Sequence, residues 1–449
     1  MSSIKLIISD LHLADGQSVL ESFGDTQQAA LEGLTAAAQS NGPLGQADDI
    51  ELIINGDAFD FLTTPPYDTQ GITKPSIALE KLNKIIAAHS PFFEMLRHFI
   101  ASPGRHVTFI TGNHDIELCF EEVRARLREA FGVVADDSRI FFCPTHFYRP
   151  LPDVYIEHGN RYDFWNHFIS GLVDEQEQPL DPHPSKITLP HGSHYFQHAT
   201  HITSLAYPYF DHLEPSVNSL RQIALLCLLN PDIVMQTAKL TMQMLTEPRQ
   251  ALANLVPGEE RIPAKLFEQA VIDFVDFHQD MMAREKDWVE PGDQDNNQAR
   301  INTMNEYAML REALTLPLNE AVAAVCMPTT YQMAESVARG MHAVLANDPS
   351  LRYAIAGHTH MVRIDSINNG AQSYLNTASW TKRLALPAPG DVNTSLVEWL
   401  GQPDWKHIPL RDVTQLTFAL VTQHQQGEPS SASLCVWEGG PKGSYRVLA

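Results

Sequence analysis

The sequence predicts an α/β fold, a layered β-sheet core flanked by helices and interrupted by an inserted helical region. Three observations predict it. Short β-branched runs alternate with helix-spaced segments through the first third of the chain. Each of those runs stops abruptly in small or polar residues. Strand-like runs then return after nearly two hundred helix-rich residues. Strands alternating with helices argue for a sheet buried on both faces.

Taken in order, Ile4 to Ser9, Asp49 to Asn55 and His106 to Thr111 are apolar runs of strand length. Between them, Ser18 to Ser40 and Ser76 to Ile100 carry apolar residues near helical spacing. Arg139 to Glu157 contains three closely spaced strand candidates. The helix-rich region follows, with loops marked by the acidic, proline-broken stretch Asp174 to Pro190 and by the polar stretch Glu285 to Arg300. Strands are expected again at Arg352 to Ala356, Val362 to Ile367, Ser373 to Asn376, Ser395 to Leu400 and Lys406 to Leu410. A hairpin is expected around Gln423 to Ser431. The chain thus divides into a first core part (1–161), a helical insertion or cap (162–349), a second core part (350–411) and a C-terminal extension (412–449). A separate helical domain is the alternative to an insertion.

Composition narrows the function. Of 449 residues, 54 are acidic and 31 basic, a net charge of −23, which argues against neutralising the phosphates of a nucleic acid. With 44% hydrophobic and 19% charged residues, a substantial core can form. No apolar stretch approaches the ~20 residues of a membrane span. The first apolar run ends at Ser9-Asp10, too early for a signal peptide, so the expected compartment is cytoplasmic. The five cysteines show no CxxC spacing, which indicates neither a disulfide framework nor a thiolate zinc site. The 20 histidines suit metal binding and proton transfer.

Chemistry collects where the strands end. The runs are followed by Asp10-Leu11-His12, Gly56-Asp57, Gly112-Asn113-His114-Asp115, His158-Gly159-Asn160 and Gly357-His358-Thr359-His360. In layered α/β proteins, ligands sit beyond the carboxyl ends of the strands. Residues two apart in an extended segment face one way, so Asp10/His12 and His358/His360 each present two donors together. Oxygen and imidazole donors without thiolate suit Mn, Fe or Zn, and a shared carboxylate would hold two such ions ~3.5–4 Å apart. Glycines 56, 112 and 357 would let the backbone turn beneath such a cluster. Each motif alone is commonly a turn, and a single His-x-His is weak. Five in sequence, each behind a strand, make coincidence a poor explanation.

The order ISDLHL, INGDAFDF, ITGNHD, IEHGN and IAGHTH resembles the calcineurin-like metallophosphoesterase superfamily. The likeness covers about residues 1–160 and 350–410. It implies two divalent metal ions, manganese favoured: Asp10, His12 and His360 bind one, Asn113, His158 and His358 bind the other, and Asp57 bridges them. It implies a metal-bridging hydroxide as nucleophile, His114 near the leaving-group oxygen, and Asp115 orienting His114 or capping the next helix. Neither GxSxG nor a P-loop competes.

The substrate class is narrower than the family. GDAFDFL with HGNRYDFWN resembles the branch that splits the pyrophosphate of UDP-diacylglucosamine, but that branch has Arg where this chain has His114. Arg161 is a candidate phosphate clamp, against an ordinary ion pair with Asp163 or another carboxylate. His183, His191, His194, His198, His201 and His212 open the insertion, four of them at helical spacing. They read as a polar face before a third metal site. The cluster Leu225, Leu226, Leu228 and Leu229, with Met235, Met242 and Met244, reads as a helical core before a lipid groove, although a cap with an apolar lining would favour a nucleotide- or lipid-linked phosphoester over a phosphoprotein. A nuclease of the same superfamily and a non-catalytic scaffold are the rival readings. The charge opposes the first, and the full set of seven metal ligands opposes the second. The expected partner is a small phosphorylated substrate.

Overall fold

The computed structural model describes residues 2–67, 70–168, 184–214, 218–244, 262–284, 296–327 and 332–448. The chain forms two compact units. One comprises Met1–His194, Met333–Lys382 and Thr414–Ala449; the other comprises Tyr195–Gln332 and Arg383–Val413.

The first unit is built on β1 (Ser3–Ile8), β2 (Asp49–Asn55), β3 (Arg105–Ile110) and β4 (Ile140–Phe142). These lie side by side and parallel. A second sheet holds β5 (Phe147–Leu151), β6 (Val154–Glu157), β7 (Tyr353–Ala356), β8 (Val362–Ile367) and β9 (Gln372–Thr377). Its spatial order is β8-β9-β7-β6-β5. The chain then returns to the first sheet as β10 (Leu416–Gln423), β11 (Ser431–Glu438) and β12 (Ser444–Val447), with β10 antiparallel beside β1. The expected hairpin is therefore β10–β11, and it completes a seven-stranded sheet.

Successive side chains of a strand point to opposite faces, so the continuous apolar runs of β1, β2 and β3 bury both faces. Ile7, Ile53 and Ile110 point inward and pack with Val154, Ile156, Ile355 and Leu375 of the other sheet. Leu6, Ile8, Leu52, Ile54, Val107 and Phe109 point outward. They are covered by helices Asp25–Ala37, Pro75–Ala88, Ser90–Ala101 and Glu121–Ala130, through residues such as Leu31, Leu82, Phe99 and Leu127. The outer face of the second sheet is covered by Val337, Met341 and Leu345 of helix Gln332–Asn347. Two sheets face to face with helices outside hold the strand ends of both in one place, as the layered α/β prediction requires.

The second unit is mainly helical among the described residues, with one short parallel strand pair, Leu213–Glu214 and Leu384–Ala385. Leu225, Phe267 and Val322 pack with Tyr209, Phe210 and Trp399. Two expected strands fall here and are not strands. Ser395 to Leu400 lies within the helix Thr394–Gly401, because the Asn393 side chain accepts from the Leu396 N–H at 3.0 Å and starts a helix. A six-residue apolar run reads equally as either element. Lys406 to Leu410 is a turn organised by Asp404, whose carboxylate accepts from the Lys406 N–H at 2.9 Å. Most of Asp174 to Pro190, all of 285–295 and His183 lie outside the described residues. His191, His194, His198 and His201 lie on a helical run interrupted by a wider turn over Phe196–Thr200, while His212 ends a short 3-10 turn. All five cysteines are buried and unbridged. No helix among the described residues is long and apolar enough to cross a membrane.

Candidate metal centre

The loops after β1, β2, β3, β6 and β7 converge, and their backbones are unusual. Asp10, His12, Asp57, His358 and His360 all have φ between 51° and 66°. That left-handed region is uncommon for residues with a side chain, and clusters of it mark sites whose surroundings force the conformation. Here it curls each loop so that carboxylates and imidazoles face one another. Gly56, at φ 80°, passes against the His158 ring, and a Cβ there would strike that ring. A Cβ on Gly112 would strike the Asp57 carboxylate.

Two clusters result. In one, His360 Nε2 lies 3.2 Å from both Asp10 Oδ1 and His12 Nε2. In the other, His158 Nε2 lies 3.1 Å from Asp57 Oδ2, with the His358 ring 5.2 Å from that of His158. Asp57 Oδ2 is also 3.7 Å from His12 Nε2, so the carboxylate stands between the clusters. Asp10, His12 and His360 form one group able to hold a cation, and Asp57, His158 and His358 another.

The donor set fits metal ions by a further criterion. Asp10 Oδ1, Asn113 Oδ1 and His158 Nε2 are buried without a hydrogen bond. A buried polar atom left unbonded is costly, and three at one place are explained by cations. The opposite atoms of the same residues are all engaged. Asp10 Oδ2 accepts from the His358 N–H at 3.0 Å, Asn113 Nδ2 donates to Asn166 at 3.3 Å, and His158 Nδ1 donates to the Asn55 carbonyl at 2.8 Å. A histidine that donates through one nitrogen presents the lone pair of the other.

Charges are tightly matched. Burial opposes ionisation of Asp10, but facing His158, His12 and His360 holds its carboxyl well below the usual range. Burial likewise opposes, and His158 and His114 overcome, so that Asp57 is lowered. The reciprocal effect raises His158 to about 9, Asp57 and Asp10 outweighing its burial.

A sequence model of the calcineurin-like phosphoesterase family matches residues 6–223, which include Asp10, His12, Asp57, Asn113, His114 and His158. Residues 6–223 are similar to the calcineurin-like phosphoesterase family. No curated protein matches. A solved dimetal phosphatase from Danio rerio aligns at 11% identity over 99% of this chain and 98% of that one, with a TM-score of 0.31.

Two residues of this site are placed differently from expectation. Asp115 neither touches the His114 ring nor caps the following turn with its side chain. Its oxygens accept from the N–H groups of Gly112 at 2.6 Å and Ala58 at 2.8 Å, tying the β2 and β3 loops together. The carboxylate that holds His114 is Asp60, at 3.1 Å from Nδ1. Asp60 follows Asp57 by three residues in GDAFD, and that spacing was its only signal in the sequence. Arg161 pairs with Glu157 at 3.8 Å, bonds to His146 and lies over the Tyr162 ring. Any contact with substrate would have to replace some of these. Asp163 instead meets His358 Nε2 at 3.2 Å.

Proposed function

We propose that this protein hydrolyses a small phosphorylated substrate at a pair of divalent cations, with Mn, Fe or Zn all compatible with its oxygen and imidazole donors and Mn²⁺ favoured. Asp10, His12 and His360 would hold one ion, Asn113, His158 and His358 the other, and Asp57 both. The observation that carries this reading is Asp57 Oδ2 standing 3.1 Å from His158 Nε2 and 3.7 Å from His12 Nε2, one carboxylate shared by two ligand clusters. When bound, such a pair supplies Lewis acidity toward the phosphoryl oxygens and lowers the pKa of a water.

The protein's own share is proton handling and orientation. His114 is 23% exposed, so a ligand can reach it, while Asp60 anchors its Nδ1. Burial would lower the His114 pKa, but Asp60 and Asp57 outweigh it and raise it, which favours the protonated ring. The Nε2–H can then donate to the departing oxygen. Phosphomonoester, phosphodiester and pyrophosphate substrates all meet this chemistry, and the −23 charge favours a small substrate over a polyanion.

The test is a Mn²⁺-supplemented screen of phosphomonoesters, phosphodiesters and nucleotide-sugar pyrophosphates, with Asp57→Asn and His114→Ala beside the wild type. Metal-dependent turnover abolished by Asp57→Asn is the expected result. Wild type no more active than Asp57→Asn on every substrate overturns the reading.

A further inference from the structure

Behind the second ligand cluster runs a continuous polar chain. Asn113 Nδ2 donates to Asn166 Oδ1 at 3.3 Å, Asn166 Nδ2 donates to Asp163 Oδ2 at 2.6 Å, and the same Asp163 oxygen faces His358 Nε2 at 3.2 Å. Asp163 and Asn166 come from the segment after β6, which the strand-end motifs do not include. Backbone bonds brace that segment: the Asn166 and His167 N–H groups donate to the Asp163 carbonyl, and the Trp165 N–H donates to Asp163 Oδ1. Asn160 Nδ2 holds the Asn166 carbonyl at 2.9 Å.

The polarity of this chain follows from its anchor. An ionised carboxylate only accepts. Asn166 must therefore turn its amide nitrogen toward Asp163 and its oxygen toward Asn113. Asn113 must then donate, and its own oxygen is left facing the cluster, where Oδ1 is buried without a hydrogen bond. On the other branch, His358 must carry its proton on Nε2, which leaves the lone pair on Nδ1. One carboxylate thus decides the amide orientation of Asn113 and the tautomer of His358.

We propose that Asp163 and Asn166 are positioning residues that select the ligand atoms of the second metal site. This rests on the two-metal reading above. A group behind a metal ligand changes affinity by ~10–100-fold when removed, without touching the ion. Among the described residues the Asp163 bonds lead to Asn113 (through Asn166) and to His358, so the effect should fall on one ion of the two.

The experiment is Mn²⁺ titration of metal-stripped protein, read as ions bound per chain by equilibrium dialysis and as the spin-coupled resonance signal of an adjacent Mn²⁺ pair. Wild type should bind two ions and give the coupled signal. Asp163→Asn and Asn166→Ala should keep the first ion, bind the second ~10–100-fold more weakly and lose the coupled signal, with the circular dichroism spectrum unchanged. Asp163→Glu, still acceptor-only, should recover part of the second site. Two ions bound with wild-type affinity in both variants overturns the relay while leaving the metal centre intact. Equal loss of both ions, or loss of the folded spectrum in both, also overturns it, because the role would then be structural. Wild type that binds no Mn²⁺ overturns the metal reading itself.

Discussion

Asp60 joins two histidines: its Oδ2 lies 3.2 Å from His12 Nδ1 and its Oδ1 lies 3.1 Å from His114 Nδ1. Because a carboxylate only accepts, both rings must present Nδ1–H to it. His12 then turns Nε2 toward Asp10, Asp57 and His360, and His114 is held at the mouth of the site. The proposed metal ligand His12 and the proposed proton donor His114 therefore share one anchor.

Asp60→Asn offers one acceptor and one donor where two acceptors are needed, so one ring must take the wrong tautomer. Turnover should fall ~10–100-fold, the scale for groups that orient ligands. The fall should be steepest for substrates with poor leaving groups, which depend most on His114. Combined with His114→Ala, the loss should be smaller than the product of the two separate losses, the remainder being what Asp60 does through His12. Full additivity of the two losses would show that Asp60 does not act through His114.

The strand-end motifs were legible because each needs only a short apolar run and the polar residues behind it. Asp10-Leu11-His12 and His358-Thr359-His360 announce paired donors within three residues. Asp60 was not legible as an anchor, since its partners lie 48 and 54 residues away in sequence. The same holds for Asp163, 195 residues from His358. Asp115 was adjacent to His114 and so invited the wrong pairing; the loop fold turns it toward the Gly112 and Ala58 backbone instead. Ser395 to Leu400 failed for a different reason, because Asn393 is a helix cap whose effect outweighs a short β-compatible run.

Asp115→Ala tests the tie between the two loops. It would leave the buried N–H groups of Gly112 and Ala58 without their acceptor, at ~1–3 kcal/mol for each. The melting temperature should drop accordingly, and activity should fall with the displacement of Asp57 and His114. The charge itself is strained, since burial and then repulsion from Asp57 push the Asp115 carboxyl up to about 7. An unchanged melting temperature would contradict the structural role.

His146 gives a pH test away from the metal ligands. Burial and then the Arg161 guanidinium push its pKa from 6.5 down to about 3. Between those values the unfolded chain binds the proton and the folded chain does not. Stability from this group is present above about 6.5 and is lost as pH falls toward 3. His146→Gln keeps an acceptor but cannot titrate there, so its melting temperature should gain on wild type between pH 7 and pH 4. Parallel melting curves across that range would refute the assignment.

His158 has the opposite sign. With its pKa raised from 6.5 to about 9, the metal-free fold carries a proton there that the unfolded chain loses first. That contribution is complete below about 6.5 and disappears as pH rises to about 9, so metal-free stability should decline across the window. A cation needs the deprotonated nitrogen, and binding must displace the proton. Mn²⁺ added to weakly buffered protein at pH 7 should therefore release acid, seen with an indicator dye. The thermal shift it causes should grow with pH over the same range in which the metal-free protein weakens. His158→Gln should release less acid and flatten the metal-free profile. Metal binding at pH 7 with no proton released would place His158 outside the ligand set.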